Sequence, residues 1–423
     1  MEVRPGYKQT EVGVIPNDWE PRRIDSVCVL INGRGFKPFE WKTSGLPIIR
    51  IQNLNGSDDF NFFDGSYAKK LEIEPGQLLF AWSGSRGTSF GPHIWSGPLG
   101  LLNYHTWKIN AFESEIDKSF LFHALKQLTT YIEGWAHGAS ALVHVQKWQM
   151  EGFQFPYPPC KQEQEAIAAA LSATNGYIES LEKLIAKKRD LQQGAMQELL
   201  TGKRRLPSFS RNEGYKQTDI GTIPSDWDVV SLQKCLRRAP KYGINAPATD
   251  FDTRYPTYLR ITDITEHGKF EHTAKASVAH PMCSSYELEP GDIAVARTGA
   301  SVGKSYLYNP LDGMLVFAGF LIRLSPNSDC LLPEFLSLYM QSRPYWNWVK
   351  ENSMRSGQPG INGKEYAALP VPLPPTIGEQ AAITEILIDY ETQITVLESK
   401  LTKILEIKQG MMQELLTGRI RLI

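Results

Sequence analysis

The chain repeats itself, and no other property limits its possible folds so strongly. Tyr7 to Trp19 reads YKQTEVGVIPNDW, and Tyr215 to Trp227 reads YKQTDIGTIPSDW. Gln192 to Leu206 reads QQGAMQELLTGKRRL, and the segment from Gln409 reads QGMMQELLTGRIRL, with Glu414 answering Glu198. Two copies of roughly 210 residues therefore fill the polypeptide, a period far beyond the units of about 20 to 50 residues that build solenoids. A domain pair has been duplicated, which predicts an internal pseudo-twofold relation and a target that itself comes in two parts.

The 423 residues, 42% of them hydrophobic, are enough for two to four domains with full cores. No apolar run reaches the roughly 18 to 20 residues of a spanning helix, and the first residues lack a charged-then-apolar leader, so a cytoplasmic protein without membrane contact is expected. Cys28, Cys160, Cys235, Cys283 and Cys330 are scattered, with no spacing for a zinc knuckle or a redox pair, and are expected to be reduced. The formal net charge is −1. A free-standing nucleic-acid binder is usually basic overall, so if DNA is the ligand, positive charge must be local or a partner must supply it.

Each copy divides into a mixed part and a helical tail. Short apolar runs separated by Gly, Asn, Asp and Pro predict strands at Leu46 to Ile51, Gln77 to Trp82 and Tyr104 to Ile109, and again at Tyr258 to Ile264 and Asp292 to Arg297. PIIRIQNL at Pro47 answers TYLRITDI at Thr257, and LEIEPGQLLFAWSG at Leu71 answers YELEPGDIAVARTG at Tyr286. Arg50 and Arg260 thus fall at equivalent places, which predicts a role common to both halves, such as an ion pair at the core edge.

The tails carry a different period. Ile167, Leu171, Thr174, Ile178, Leu181, Ile185, Lys188, Gln192, Ala195 and Leu199 recur at alternating steps of four and three. Ile383, Leu387, Tyr390, Ile394, Leu397, Leu401, Ile404, Lys408, Met411 and Leu415 do the same. Such a stripe over about five heptads predicts coiled-coil helices. Each begins after a proline brake, FPYPP at Phe155 or VPLPP at Val371, and ends at Gly202 or Gly418. About 38 residues at 1.5 Å each give a helix of about 57 Å. Equal length and register favour the two helices pairing with each other, antiparallel by the duplication. Separate packing of each on its own domain explains an apolar face but not the matched register. Lys188, Gln192 and Lys408 fix the register, face a partner, or extend their polar ends to water.

The YKxTxxGxIPxDW starts, the PYPPCKQEQEAI and PLPPTIGEQAAI openings with Glu163, Gln164, Glu379 and Gln380, and the MQELLTG ends at Met196 and Met412 closely resemble the DNA specificity subunit of type I restriction-modification systems. The resemblance spans essentially the whole chain, and it is the order of several motifs that makes it specific. It implies an α+β protein of two mixed α/β target recognition domains separated by two long antiparallel coiled-coil helices. The domains are residues 1–156 and 215–372, the spacer helices 157–202 and 373–423, and the linker 203–214. It further implies that each domain reads one half of a split, asymmetric double-stranded DNA sequence while the helices act as a ruler. The helices also dock two modification (methyltransferase) subunits, and restriction (translocase/endonuclease) subunits join the complex. The chain itself would be non-catalytic and hold no cofactor or metal, with S-adenosylmethionine, ATP and magnesium belonging to partner subunits.

The residues offer little to contradict this. Gly299 to Ser305, GASVGKS, has three residues before its Gly-Lys pair where a phosphate-binding loop needs four, so a glycine-bent turn or a DNA-facing turn is expected. No N/D-P-P-Y/F methyltransferase motif occurs, and the histidines are not spaced as metal ligands. Base edges are read mainly by Arg, Lys, Asn and Gln, and phosphates by Lys, Arg, Ser and Thr. Copy-specific polar residues near glycine-rich turns are therefore the DNA-binding candidates. In the first half these are Lys69, Lys70, Ser83, Arg86, Thr88, His137 and His144, with Ser85 and Trp82 beside them, the tryptophan equally suited to the core. In the second they are Lys241 and Tyr242 in the loop PKYGINAP, Arg297, Lys304, and Arg355 and Lys364 in MRSGQPGINGKEY, which reads equally as a fold-determined or a DNA-proximal turn. Lys203, Arg204 and Arg205 suit either the helix dipole or phosphate. Two other classes stay open on the residues alone: a stand-alone sequence-specific DNA-binding regulator, and a structural adaptor.

Overall fold

The structure, a computed structural model, describes residues 3–135, 142–210, 214–355 and 357–422. It forms two compact units: Met1–Glu182 with Ser399–Ile423, and Lys183–Glu398. The division falls inside both long helices, so each unit owns half of each.

In the first unit, strand Leu78–Ala81 (LLFA) is buried along its whole length, as a strand covered on both faces must be. It lies in an antiparallel sheet of order Gly91–Ile94, Leu78–Ala81, Thr106–Ala111, Cys28–Asn32. A second, mixed sheet runs Asn61–Phe63, Leu46–Ile49, Gly100–Leu102, Glu72–Ile73, with its third strand parallel to its second. The second unit repeats the plan. Its buried IAVA strand Ile293–Ala296 sits between Leu321–Pro326 and Ser305–Leu307, with Leu236–Tyr242 at the edge. Thr257–Leu259 again pairs in parallel, with Leu315–Phe317. In both units one glycine is imposed by close approach: a Cβ on Gly33 would lie 2.0 Å from the Asn103 carbonyl oxygen, and on Gly243 2.1 Å from that of Ala318.

The expected strands at Leu46 and Tyr258 are shorter than their apolar runs. They stop at Ile49 and Leu259, because the side-chain oxygens of Asn53 and Asp263 capture the backbone N–H of Arg50 and Arg260 at 3.0 and 2.8 Å and turn the chain into a helical turn. The segment expected as a loop at Lys241 and Tyr242 is instead an edge strand. Its register breaks between Leu236 and Arg238 and between Arg238 and Lys241, and an edge position beside such a break accommodates Pro240, which has no N–H to give.

The long helices are Lys161–Leu199 and Ile377–Leu415, 39 residues each. Every position of both predicted stripes is buried or half-buried. Gly202 and Gly418 follow them at φ +68° and +69°, the left-handed conformation that ends a helix without a Cβ penalty. Within the first unit, Thr174 meets Met411 and Tyr177 meets Lys400, so the helices run antiparallel there. Within the second, Lys188 Nζ donates to Gln393 Oε1 at 2.6 Å, and Ala195 and Leu199 share one core with Ile383 and Leu387, again antiparallel. Lys188 thus bonds the opposite helix.

Each unit closes with the same buried clasp. Glu163, 0% exposed, receives Arg421 (Nη2 to Oε2, 2.9 Å) and the Trp19 indole N–H (3.2 Å), and Arg421 also grips Asp18 at 2.9 and 3.0 Å. Glu379, 1% exposed, receives Arg205 (Nη2 to Oε2, 2.8 Å), which reaches Asp226 at 2.7 Å. The guanidiniums sit 5.7 Å over the Trp19 ring and 5.8 Å over the Trp227 ring. Phosphate binding, one of the two readings made for Arg205 from the sequence, does not describe it, because its guanidinium is enclosed by the carboxylates of Glu379 and Asp226. The glutamines after the glutamates pin the neighbouring chain. Gln164 Oε1 accepts from the Asp117 N–H at 2.7 Å, and Gln380 Oε1 from the Leu332 N–H at 2.9 Å.

Candidate nucleic-acid interface

In the first unit, strand Ser83–Ser85 pairs antiparallel with Leu142–His144, which sets Ser83 opposite His144 and places Arg86 and Thr88 in the turn that follows. The turn is tied down by the Gly87 N–H donating to Glu133 Oε1 at 2.8 Å and by the Ser85 N–H donating to Ser89 Oγ at 2.8 Å. Four of the seven candidates of this half thus come together on one small hairpin-like feature. Lys69 and Lys70 are exposed on a separate turn, Lys69–Leu71. His137 lies outside the described residues. Trp82 resolves toward structure: its indole N–H donates to the Tyr104 carbonyl at 2.9 Å and its ring stacks on Trp107.

In the second unit, Tyr242 is the centre. Its hydroxyl accepts from the Gly363 N–H at 3.0 Å, and the Arg297 guanidinium lies 5.0 Å over its ring. Tyr242, Lys364, Arg238, Pro240 and Asn362 line one open cleft of about 940 Å³. Three of the six candidates of this half, Tyr242, Arg297 and Lys364, therefore converge. The other three are engaged elsewhere. Lys241 donates to the Ser285 carbonyl at 2.6 Å and lies 4.2 Å over the Tyr286 ring, and burial, with Arg323 and Arg238 nearby, pushes its pKa down. Lys304 pairs with Glu266, and Arg355 with Glu365 at 2.6 Å. The stretch from Met354 is fold-determined at its core: Asn362 caps the helix Gly363–Ala367, and Glu365 returns a bond to the Asn362 N–H. GASVGKS runs into strand Ser305–Leu307, with no helix N-terminus to cradle a phosphate.

The two halves align residue by residue around these sites. Trp82 and Arg297 take the N–H-bonded place opposite His105 and Phe320, and both donate a side-chain N–H to the next carbonyl back, Tyr104 and Gly319, at 2.9 and 3.1 Å. At the paired turns the halves diverge. Arg260 holds Asp263 through Nε at 2.9 Å and Nη2 at 2.7 Å, an ion pair at the core edge. Arg50, with Asn53 in place of the carboxylate, has no ion pair among the described residues and stacks 5.4 Å over Trp41. The expectation of a common role for these arginines is therefore corrected: the backbone turn is shared, and the guanidinium contacts are not.

Arg50 and Trp41 belong to a cleft of about 340 Å³ that also takes in Gln52, Tyr104, His105 and Thr106. None of these six was among the DNA-binding candidates read from the sequence, where Arg50 was noted only as the counterpart of Arg260. The signal was present in the aligned RIQN and RITD segments, where a conserved-looking arginine loses its acid in one copy only. Burial lowers the pKa of His105.

A family model described as Type I restriction modification DNA specificity domain matches residues 16–187 and 224–407. The chain is 24% identical over 387 residues to the type I restriction enzyme EcoBI specificity subunit of Escherichia coli, covering 87% of this chain and 78% of that protein. It is 24% identical over 418 residues to the MjaVIII specificity subunit of Methanocaldococcus jannaschii, covering 96% and 94%. In fold it is similar to the crystal structure of a type I restriction-modification S subunit from M. genitalium, with TM-score 0.58, 17% identity and 98% of each chain covered.

Proposed function

This chain belongs to the type I restriction-modification DNA specificity family, and from that membership we propose that it reads a split, asymmetric sequence in double-stranded DNA, one half with each globular domain. It is a specificity subunit, the non-catalytic component that supplies DNA sequence recognition. In the proposed assembly the two long helices set the distance between the halves and dock two modification subunits, with restriction subunits joining the complex in the cytoplasm. S-adenosylmethionine, ATP and magnesium stay with those partners. No helix among the described residues is long and apolar enough to cross a membrane.

The observation that carries this reading is a scaffold repeated almost exactly around sites that are not repeated. The clasps, the capped turns and the glycine approaches recur in both units, whereas at corresponding places the first unit has Trp82, Tyr104 and Asn53 and the second has Arg297, Gly319 and Asp263. Two similar frames with dissimilar side chains suit two different half-sites. Ser83, Arg86, Thr88 and His144, with Lys69 and Lys70, are the proposed contacts for the first half, and Tyr242, Arg297 and Lys364, with Lys241, Lys304 and Arg355, for the second. A mildly acidic chain with local cations needs partners to cover the rest of the DNA charge.

The test is to mix the purified chain with its cognate modification subunit and map methylated adenines on genomic DNA. The expected result is methylation confined to one bipartite sequence and dependent on the chain. Tight sequence-specific binding by the chain alone, with no effect on where methyl groups are placed, would contradict the assignment.

A further inference from the structure

The first domain contains an arginine that its own scaffold leaves available. Arg50 and Arg260 occupy the same turn with nearly the same backbone, φ −107° and ψ 167° against φ −107° and ψ 165°. In the second domain Asp263 accepts from the guanidinium of Arg260, which also donates to the Ala274 carbonyl at 2.7 Å. In the first domain Asn53 spends its side-chain oxygen on the Arg50 backbone N–H and its amide on the Ser57 and Asp59 carbonyls. Arg50 Nε is buried without an acceptor among the described residues. Leaving such a charged donor unmatched costs about 1–3 kcal/mol or more.

The surroundings give the chemistry of what would match it. In the same cleft, His105 Nδ1 and Thr106 Oγ1 are also buried and unbonded, Thr106 being 1% exposed. Trp41, 39% exposed, lies under the guanidinium, and Tyr104, 47% exposed, lines the same cleft. Stacking on an indole holds the planar fork in one orientation and reduces the entropy lost when it binds. A fixed fork of donors calls for two adjacent acceptors. A phosphate also offers them, but a phosphate contact carries no sequence information, whereas among the described residues this guanidinium is free in only one of two domains proposed to read different half-sites. In the major groove, guanine alone presents paired acceptors, O6 and N7, and arginine is their commonest partner.

We propose that Arg50 is a further specificity-determining residue of the first domain, donating to O6 and N7 of a guanine in the half-site that this domain reads, with Trp41 holding it in position. This rests on the proposed role as a specificity subunit. It also predicts an asymmetry: Arg260, committed to Asp263, reads no base.

The experiment uses the chain assembled with its cognate modification subunit, S-adenosylmethionine, and duplex DNA in which each position of both half-sites is varied. Arg50→Ala is expected to lower discrimination at one guanine of the first half-site by about 10- to 100-fold and to leave the second half-site unchanged. Asn53→Asp supplies the kind of carboxylate that captures Arg260 at the corresponding turn, at the loss of the amide bonds to the Ser57 and Asp59 carbonyls. With its folding verified by an unchanged unfolding transition and unchanged reading of the second half-site, it is expected to produce the same loss while the arginine remains. Unchanged preference in both variants would overturn the proposal, as would an equal loss on all sequences, which would mark a phosphate contact. If the wild-type complex itself methylated without sequence preference, the specificity-subunit reading would fail, and the Arg50 assignment with it.

Discussion

Arg421 and Arg205 each neutralise a glutamate that has no access to water. Removing one partner of a buried pair strands the other charge, at a cost of about 3–5 kcal/mol. Arg421→Ala is therefore expected to destabilise the first unit by that amount, and Arg205→Ala the second, in urea unfolding; a change under about 1 kcal/mol would contradict the clasp. His123 sets an acid limit. It is 2% exposed and bonded to Ser172 Oγ at 3.2 Å, and burial, reinforced by the Lys408 ammonium and opposed by Asp117, lowers its pKa from 6.5 to about 4. The unfolded chain then binds the proton more readily than the folded one between those values, so stability falls as pH drops from about 6.5 and levels near 4, by about 3 kcal/mol in all. His123→Gln should flatten that slope; an unaltered slope would assign the acid sensitivity to other groups. The clasps were only half legible in the sequence. The EQ and DW motifs announced themselves as repeats, but the arginine partners of the two glutamates lie 258 and 174 positions away, and nothing in a linear pattern joins them.

The long helices were the most legible elements, since a period of three and four residues is written directly in side-chain polarity and burial follows it position by position. Strand ends were less so, because Asn53 and Asp263 stop them by a side-chain bond to a backbone N–H rather than by a change in hydropathy. The Lys241 segment misled for a related reason: a proline and basic residues suggest a loop, and an irregular edge strand tolerates both. Lys408 shows what the stripe pays for specificity. It sits at a seam position with its pKa lowered by burial, and a polar residue there fixes register at the expense of stability. Lys408→Met is expected to raise the urea midpoint of the first unit, by about 1 kcal/mol in free energy. It should also ease protonation of His123; a lower midpoint would show that the ammonium is stabilising where it stands.

At the scale of the molecule, duplication with divergence is the organising fact. The fold class and the specificity role were expected from the family resemblance that the ordered motifs carry, and those motifs are scaffold positions constrained alike in both copies. The reading residues were not legible in the same way: Ser83, Arg86, Thr88 and His144 come together only through a strand pairing between distant segments, and the Arg50 cleft only through a missing carboxylate. The proposal that two different readers are spaced by the paired helices has a direct test in the gap between half-sites. Deleting one heptad from each helix preserves the seam and shortens the pair by about 10 Å, or about 3 base pairs of duplex. Mapping methylated sites for that variant with its cognate modification subunit should show both half-sites unchanged and the gap about 3 base pairs shorter; an unchanged gap, or altered half-sites, would contradict the account.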